Sequence, residues 1–163
     1  MRRILTSWPV ILVSGAAFLA IGYGFSLYMP QTGEPILDTL ASQSDVLARL
    51  EAMDDSQKAA HIEMTLLLDM LYPIAYAVLL GGLAMKAFPK AGWWLAVPAF
   101  LGCSADLIEN MIQLMALQGN TSLLGLKAIL TPAKFILLVI AVLLVVVCGL
   151  TAGIAALRRR RSA

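Results

Sequence analysis

Asp106, Glu109, Asn110 and Gln113 stand at i, i+3, i+4 and i+7 inside the apolar stretch from Trp93 to Leu117. That spacing stacks all four on one face of a helix. Two carboxylates and two amides on one face can serve acid–base chemistry, charge pairing or the binding of a polar group. Asp69, Tyr72, Pro73 and Tyr76 repeat the spacing in a second apolar stretch, and Lys127, Thr131 and Lys134 do so in a third. The lysines supply countercharge and the tyrosine hydroxyls can donate hydrogen bonds. Pro73 has no N–H, so a helix running through it leaves the carbonyl of Asp69 free beside the other groups.

The elements that carry these stripes follow from composition. Of 163 residues, 60% are hydrophobic and 13% charged, with a mean hydropathy of +0.84, far more apolar than an ordinary soluble domain. Four long segments are nearly free of charges: residues 8–29, 62–87, 93–117 and 124–157. Each exceeds the roughly 20 residues that a helix needs to cross a ~30 Å hydrocarbon layer. The first follows Arg2 and Arg3, as a signal peptide would, with a passable cleavage site at Ser14 to Ala16. It runs on to Met29, longer than a signal core, and reads as a retained span. The fold class is therefore an all-α membrane protein, a single domain over residues 1–163. It is an antiparallel bundle of four transmembrane helices with an extracytoplasmic amphipathic helical segment at 30–61.

Basic residues set the expected orientation. Arg2, Arg3, Lys86, Lys90 and Arg158 to Arg161 fall on one side of an alternating four-span arrangement, and Arg49, Lys58, Lys127 and Lys134 on or near the other. The excess places both termini in the cytoplasm. The short chain, with no cleavable leader or retention signal, reads as a multi-pass protein of a bacterial cytoplasmic membrane. The net charge of +2 reflects topology rather than a folded basic patch, so no nucleic-acid partner is expected.

Residues 30–61 form the sizeable connection. Pro30, Gly33 and Pro35 break the first helix, after which Ile36, Leu37, Leu40, Leu47, Leu50 and Met53 recur among polar residues, the pattern of an amphipathic helix or broken pair. It is expected to cap the bundle or lie in the interface, with Asp54, Asp55 and Ser56 capping the second span. The remaining connections, 88–92 and 118–123, are short enough to make sequential helices neighbours. Gly149 and Gly153 form a GxxxG, and Ala16, Ala20 and Gly24 a small-residue stripe. Both suit close helix approach within the bundle or against a second copy. Asn120, Thr121 and Ser122 read equally as a glycosylation sequon and as a turn.

Much familiar chemistry is excluded. His61 is the one histidine, so haem held by two histidines and multi-histidine zinc sites are not available within one chain. A metal at Asp54, Asp55, His61 and Glu63 is not expected. Cys103 and Cys148 stand apart, without a CxxC, and read as small buried hydrophobes. No phosphate-binding glycine loop, HExxH or GxSxG occurs, and no cofactor is expected.

All three polar stripes lie in the half of the membrane away from the cytoplasm and can converge there. A charge at a helix centre costs about 2.5–3.5 kcal/mol, and the nine Leu, Ile, Val and Phe side chains of the third span return roughly 0.3–0.6 kcal/mol each. The balance is near zero, so the acids need partners, Lys134 first and Lys127 beside it. The candidate ligand-binding set is Asp69, Tyr72, Tyr76, Asp106, Glu109, Asn110, Gln113, Lys127, Thr131 and Lys134. Three function classes fit it. The first is a protein that binds a lipid-like molecule or docks a membrane partner or a second copy. The second is an intramembrane acid–base enzyme acting on a lipid or isoprenoid through Asp106, Glu109 and Lys134. The third is a subunit of a proton-coupled carrier.

Overall fold

The computed structural model describes residues 2–161, with side chains through Thr151. The chain is helical, with no strand among the described residues: α1 (Arg2–Leu5), α2 (Trp8–Thr32), a 3-10 turn (Leu37–Thr39), α3 (Gln43–Ala52), α4 (Asp55–Met64), a π turn (Thr65–Asp69), α5 (Tyr72–Ala87), α6 (Gly92–Leu117) and α7 (Leu124–Arg161). Four helical stretches are long and apolar enough to cross a membrane: Trp8–Thr32, Asp55–Ala87, Gly92–Leu117 and Leu124–Thr151. The chain is a multi-pass membrane protein built as a helix bundle.

The second of these starts seven residues earlier than its apolar run suggests. Asp54 caps it in a capping box, its Oδ1 accepting from the Gln57 N–H at 2.8 Å while Gln57 Oε1 reaches back to the Asp54 N–H. Hydrogen bonds from the Ser56 hydroxyl and the Gln57 amide hold the Asp54 carboxyl below the usual carboxylate range. The capped turns ahead of Ile62 carry Asp55, Lys58 and His61, which is why hydropathy alone starts the span at Ile62.

α5 and α6 form the centre of the bundle and α2 and α7 its flanks. In the most apolar window of α2 only 11% of residues are buried, against 39% for the second and third spans. Its outer face, with Leu12, Leu19 and Tyr23, is left for lipid. α2 packs on α4 and α5, and α7 packs chiefly on α6. At the end of the bundle holding the turn at 88–91, basic residues tie the N-terminal helix down. Arg2 donates to the carbonyls of Pro89 and Met85, and Lys86 Nζ donates to the Thr6 carbonyl at 2.9 Å and lies over the Trp8 ring. Gly92 allows this turn its tightness, since a Cβ there would run into the backbone of Ala84 and Met85.

The opposite end is closed by the segment between α2 and α4. Leu37, Val46, Leu50 and Met53 pack against Ile112, Ala116, Leu117 and Leu124, a core in which the amphipathic segment covers the ends of α6 and α7. α2 stops at Gly33, whose φ of +69° suits glycine and whose missing side chain leaves room for the Arg49 guanidinium and the Gln57 amide. Arg49 in turn donates to the carbonyls of Thr32 at 2.7 Å and Pro35 at 2.9 Å. Asn120 Oδ1 accepts from the backbone and hydroxyl of Ser122, so the sequon is an Asx turn before α7. Cys148 is buried and Cys103 half-buried. Among the described residues a Cβ at Gly149 or Gly153 would meet nothing within 4 Å, so no close helix approach is made there.

Candidate functional site

The three polar stripes meet at the end of the bundle that carries the 33–54 segment. Lys134 from α7 is their hub. Its Nζ lies 2.9 Å from Asp106 Oδ1 and 2.7 Å from Glu109 Oε2, both on α6. The Asp106 contact is a hydrogen bond, whereas Glu109 Oε2 meets the ammonium at an angle too poor for one and pairs by charge. The third carboxylate comes from outside the stripes: Asp38, in the 3-10 turn, places Oδ1 2.7 Å from the same ammonium. The nearest oxygens of Asp38, Asp106 and Glu109 lie within 4.8 Å of one another, close enough to share a cation, and the ammonium is the cation they share.

Lys127, two turns earlier on α7, forms a second centre behind the first. Its ammonium donates to Glu109 Oε1 at 2.7 Å, Leu37 O at 3.0 Å and Leu40 O at 2.9 Å, with Thr131 Oγ1 at 3.2 Å. Thr131 donates to Glu109 Oε1 at 2.7 Å. Lys127 and Glu109 are each 0% exposed. Taking such ions out of water costs several kcal/mol each even after relaxation, and only a full set of partners offsets it. Lys127 has that set because the 3-10 turn brings two carbonyls to it. His61, also buried, completes the seat of the turn by accepting the Leu37 N–H at Nε2, 3.2 Å away.

The second stripe meets the third through backbone and hydroxyl. Pro73 cannot donate to Asp69 O, and the π turn ending at Asp69 widens the helix there. Asn110 Nδ2 takes up the freed carbonyl at 2.8 Å. Tyr76 donates from its hydroxyl to Asp106 Oδ2 at 3.3 Å. Tyr72 contributes a ring rather than a hydrogen bond: it stacks on Phe18 at 4.8 Å between centroids and stands edge-on to Phe25 and Tyr76.

A cavity of about 160 Å³ opens beside Lys134 and divides the ten candidate residues into two sets. Asp69, Tyr72, Tyr76, Asp106 and Lys134 line it; Glu109, Asn110, Gln113, Lys127 and Thr131 do not, and of these all but Gln113 hold the lining groups or the closing segment. Asp38 lines it too, together with Phe25 and Met29 of α2 and Phe135 and Leu138 of α7. Gln113 is buried with neither amide atom hydrogen-bonded, and it does not join the ion cluster.

Asp38 is the residue the sequence did not single out. It stands among the polar positions of an apparently amphipathic segment, where a water-facing acid is ordinary, and no periodicity marks it. Comparisons with protein-family models, with curated proteins and with solved structures found no match to this chain.

Proposed function

We propose that this membrane protein binds a lipid-like molecule in the cavity beside Lys134, polar end inward, with its tail leaving between α2 and α7 into the bilayer. The observation that carries the reading is the cavity's two-part lining: a charged floor of Asp38, Asp69, Asp106 and Lys134 under walls of Phe25, Met29, Phe135 and Leu138. Apolar walls with a few convergent polar groups are the usual character of a small-molecule site. Among the described residues the wall helices α2 and α7 pack chiefly on the central helices, which favours the line between them as the way out for the tail. In this reading the four spans alternate in direction, the 33–54 segment closes the extracytoplasmic end, and both termini lie in the cytoplasm of a bacterial cell.

The second reading is an intramembrane acid–base enzyme acting on the same guest. The Tyr76–Asp106–Lys134 chain favours it, because a carboxylate held by one donor and one cation beside a cavity can pass a proton to or from a bound molecule. One experiment addresses both. The protein is purified in mild detergent, bound lipids are extracted and compared by mass spectrometry with the total membrane extract, and Leu138→Trp, which fills the cavity, is treated alike. The expected result is one enriched species in the wild type that the folded variant lacks. Chemical conversion of that species on prolonged incubation would favour the enzyme, and a bulk-lipid profile in both proteins would refute a binding pocket.

A further inference from the structure

We infer that the group received by this cavity is an organic cation, an amine or quaternary ammonium at the end of an apolar tail. The inference rests on the lipid-binding reading above and specifies its polar end.

Charge is the first observation. Four acids, Asp38, Asp69, Asp106 and Glu109, share two cations, Lys127 and Lys134, and every ion pair at the site is made by the other three acids. Among the described residues no lysine or arginine nitrogen reaches Asp69. Its side chain lines the cavity, is 8% exposed, and has Oδ2 buried without a hydrogen-bond partner. A buried carboxylate oxygen without a partner is costly, and a cation or a donor placed against it removes the cost.

The walls supply the second observation. The rings of Phe25, Tyr72 and Tyr76 surround the space next to Asp69, and Tyr72 is fixed by its stack on Phe18. Aromatic faces attract ammonium groups, most strongly where water is excluded. A phosphate or carboxylate head would instead meet three acids, with the one cation on the cavity wall already shared among Asp38, Asp106 and Glu109. A bare metal ion would have to expel Lys134 from those same carboxylates, and beyond Asp69 the aromatic walls add only neutral phenol oxygens, poor ligands beside carboxylates. The cavity's 160 Å³ is smaller than the roughly 300–1,000 Å³ of a site enclosing a whole drug-sized ligand, so it encloses a head group while the tail stays in lipid.

The test uses three probes with the same tail, dodecylammonium, dodecanol and dodecanoate, titrated against the full chain in a nonionic detergent with thermal unfolding as the readout. The expected outcome is saturable stabilisation by dodecylammonium at concentrations at least tenfold below those dodecanol requires, with none from dodecanoate. Asp69→Asn, nearly isosteric and leaving the Asn110 bond to the backbone carbonyl intact, is expected to erase the tenfold preference. Tyr72→Leu, which keeps every acid, is expected to weaken dodecylammonium several-fold and leave dodecanol unchanged, and it stands in should Asp69→Asn not fold. Equal or tighter binding of dodecanol or dodecanoate would overturn the cation and leave the lipid pocket standing. Failure of all three probes would overturn both. An ammonium preference that survives in both variants would remove Asp69 and Tyr72 from the site.

Discussion

Lys127 Nζ lies 2.7 Å from Glu109 Oε1, and the two residues are unequal in what else they hold. Glu109 keeps Lys134 if Lys127 is lost. Lys127 alone ties the carbonyls of Leu37 and Leu40 to the bundle. Lys127→Met therefore strips a buried acid of one cation and releases the closing turn, at about 3–5 kcal/mol. Glu109→Gln leaves Lys127 fully buried with carbonyls and a hydroxyl but no countercharge, also at about 3–5 kcal/mol, while the turn keeps its tie to Lys127. The double variant is expected to cost less than the sum of the singles, with a coupling of about 0.5–3 kcal/mol. Thermal or denaturant unfolding in detergent measures all three, and costs that simply add would contradict the coupling; amide exchange in residues 33–54 as fast in Glu109→Gln as in Lys127→Met would contradict the asymmetry.

Asp38 couples the closing segment to the site. Asp38→Asn keeps an oxygen near Lys134 but loses its charge, while Asp106 and Glu109 still hold the ammonium. Global stability is expected to fall by about 1 kcal/mol. The local effect should be larger, with faster proteolysis and amide exchange within residues 33–54 and little change in α6. Unchanged exchange in that segment would show that Leu37 and its apolar neighbours seat the turn without help from the ion pair.

Orientation makes a separate expectation. The basic residues Arg2, Lys86 and Lys90 lie at the end of the bundle away from the closing segment, where Arg2 and Lys86 bind carbonyls, and the proposed orientation puts that end in the cytoplasm. In a background with Cys103 and Cys148 replaced by alanine, Asp45→Cys should react with an impermeant thiol reagent added outside intact cells. Arg160→Cys should react only after the membrane is opened. Labelling of both from one side would refute the alternating arrangement.

The spans could be read from sequence because a run of 20 or more apolar residues has few other uses, and the stripes because helical spacing makes neighbours of i, i+3, i+4 and i+7. Which residues face a cavity and which stand behind it depends on how far each helix is rotated, which spacing within one helix does not encode. Thus Glu109 and Asp106, three residues apart, ended in different sets. The part played by Asp38, and the seat that His61 gives the turn, escape the sequence for another reason. Their roles come from a short turn folding back onto α4 and α7, and loop residues carry no periodic signal. Lys127, the lesser partner on paper, became the more enclosed of the two lysines because the same turn brought it two carbonyls.

The carbonyl freed by Pro73, a backbone feature legible in the sequence, allows a cycle that tests how the second and third spans are joined. Asn110 Nδ2 donates to Asp69 O at 2.8 Å, and both residues are buried. Asn110→Ala leaves that carbonyl with no donor at an expected cost of about 1–3 kcal/mol. Pro73→Ala restores an N–H in the position that would satisfy the same carbonyl if the π turn relaxed to an α-helix. In the Pro73→Ala background, Asn110→Ala should therefore cost markedly less, because the helix now supplies the donor that Asn110 supplied. The relaxed turn would also rotate Asp69 relative to Tyr72, so the double variant should recover stability yet bind guests more weakly than the wild type. Unfolding of the two singles and the double gives the coupling, and a cost for Asn110→Ala that is the same in both backgrounds would show that the Asp69 carbonyl does not need Asn110.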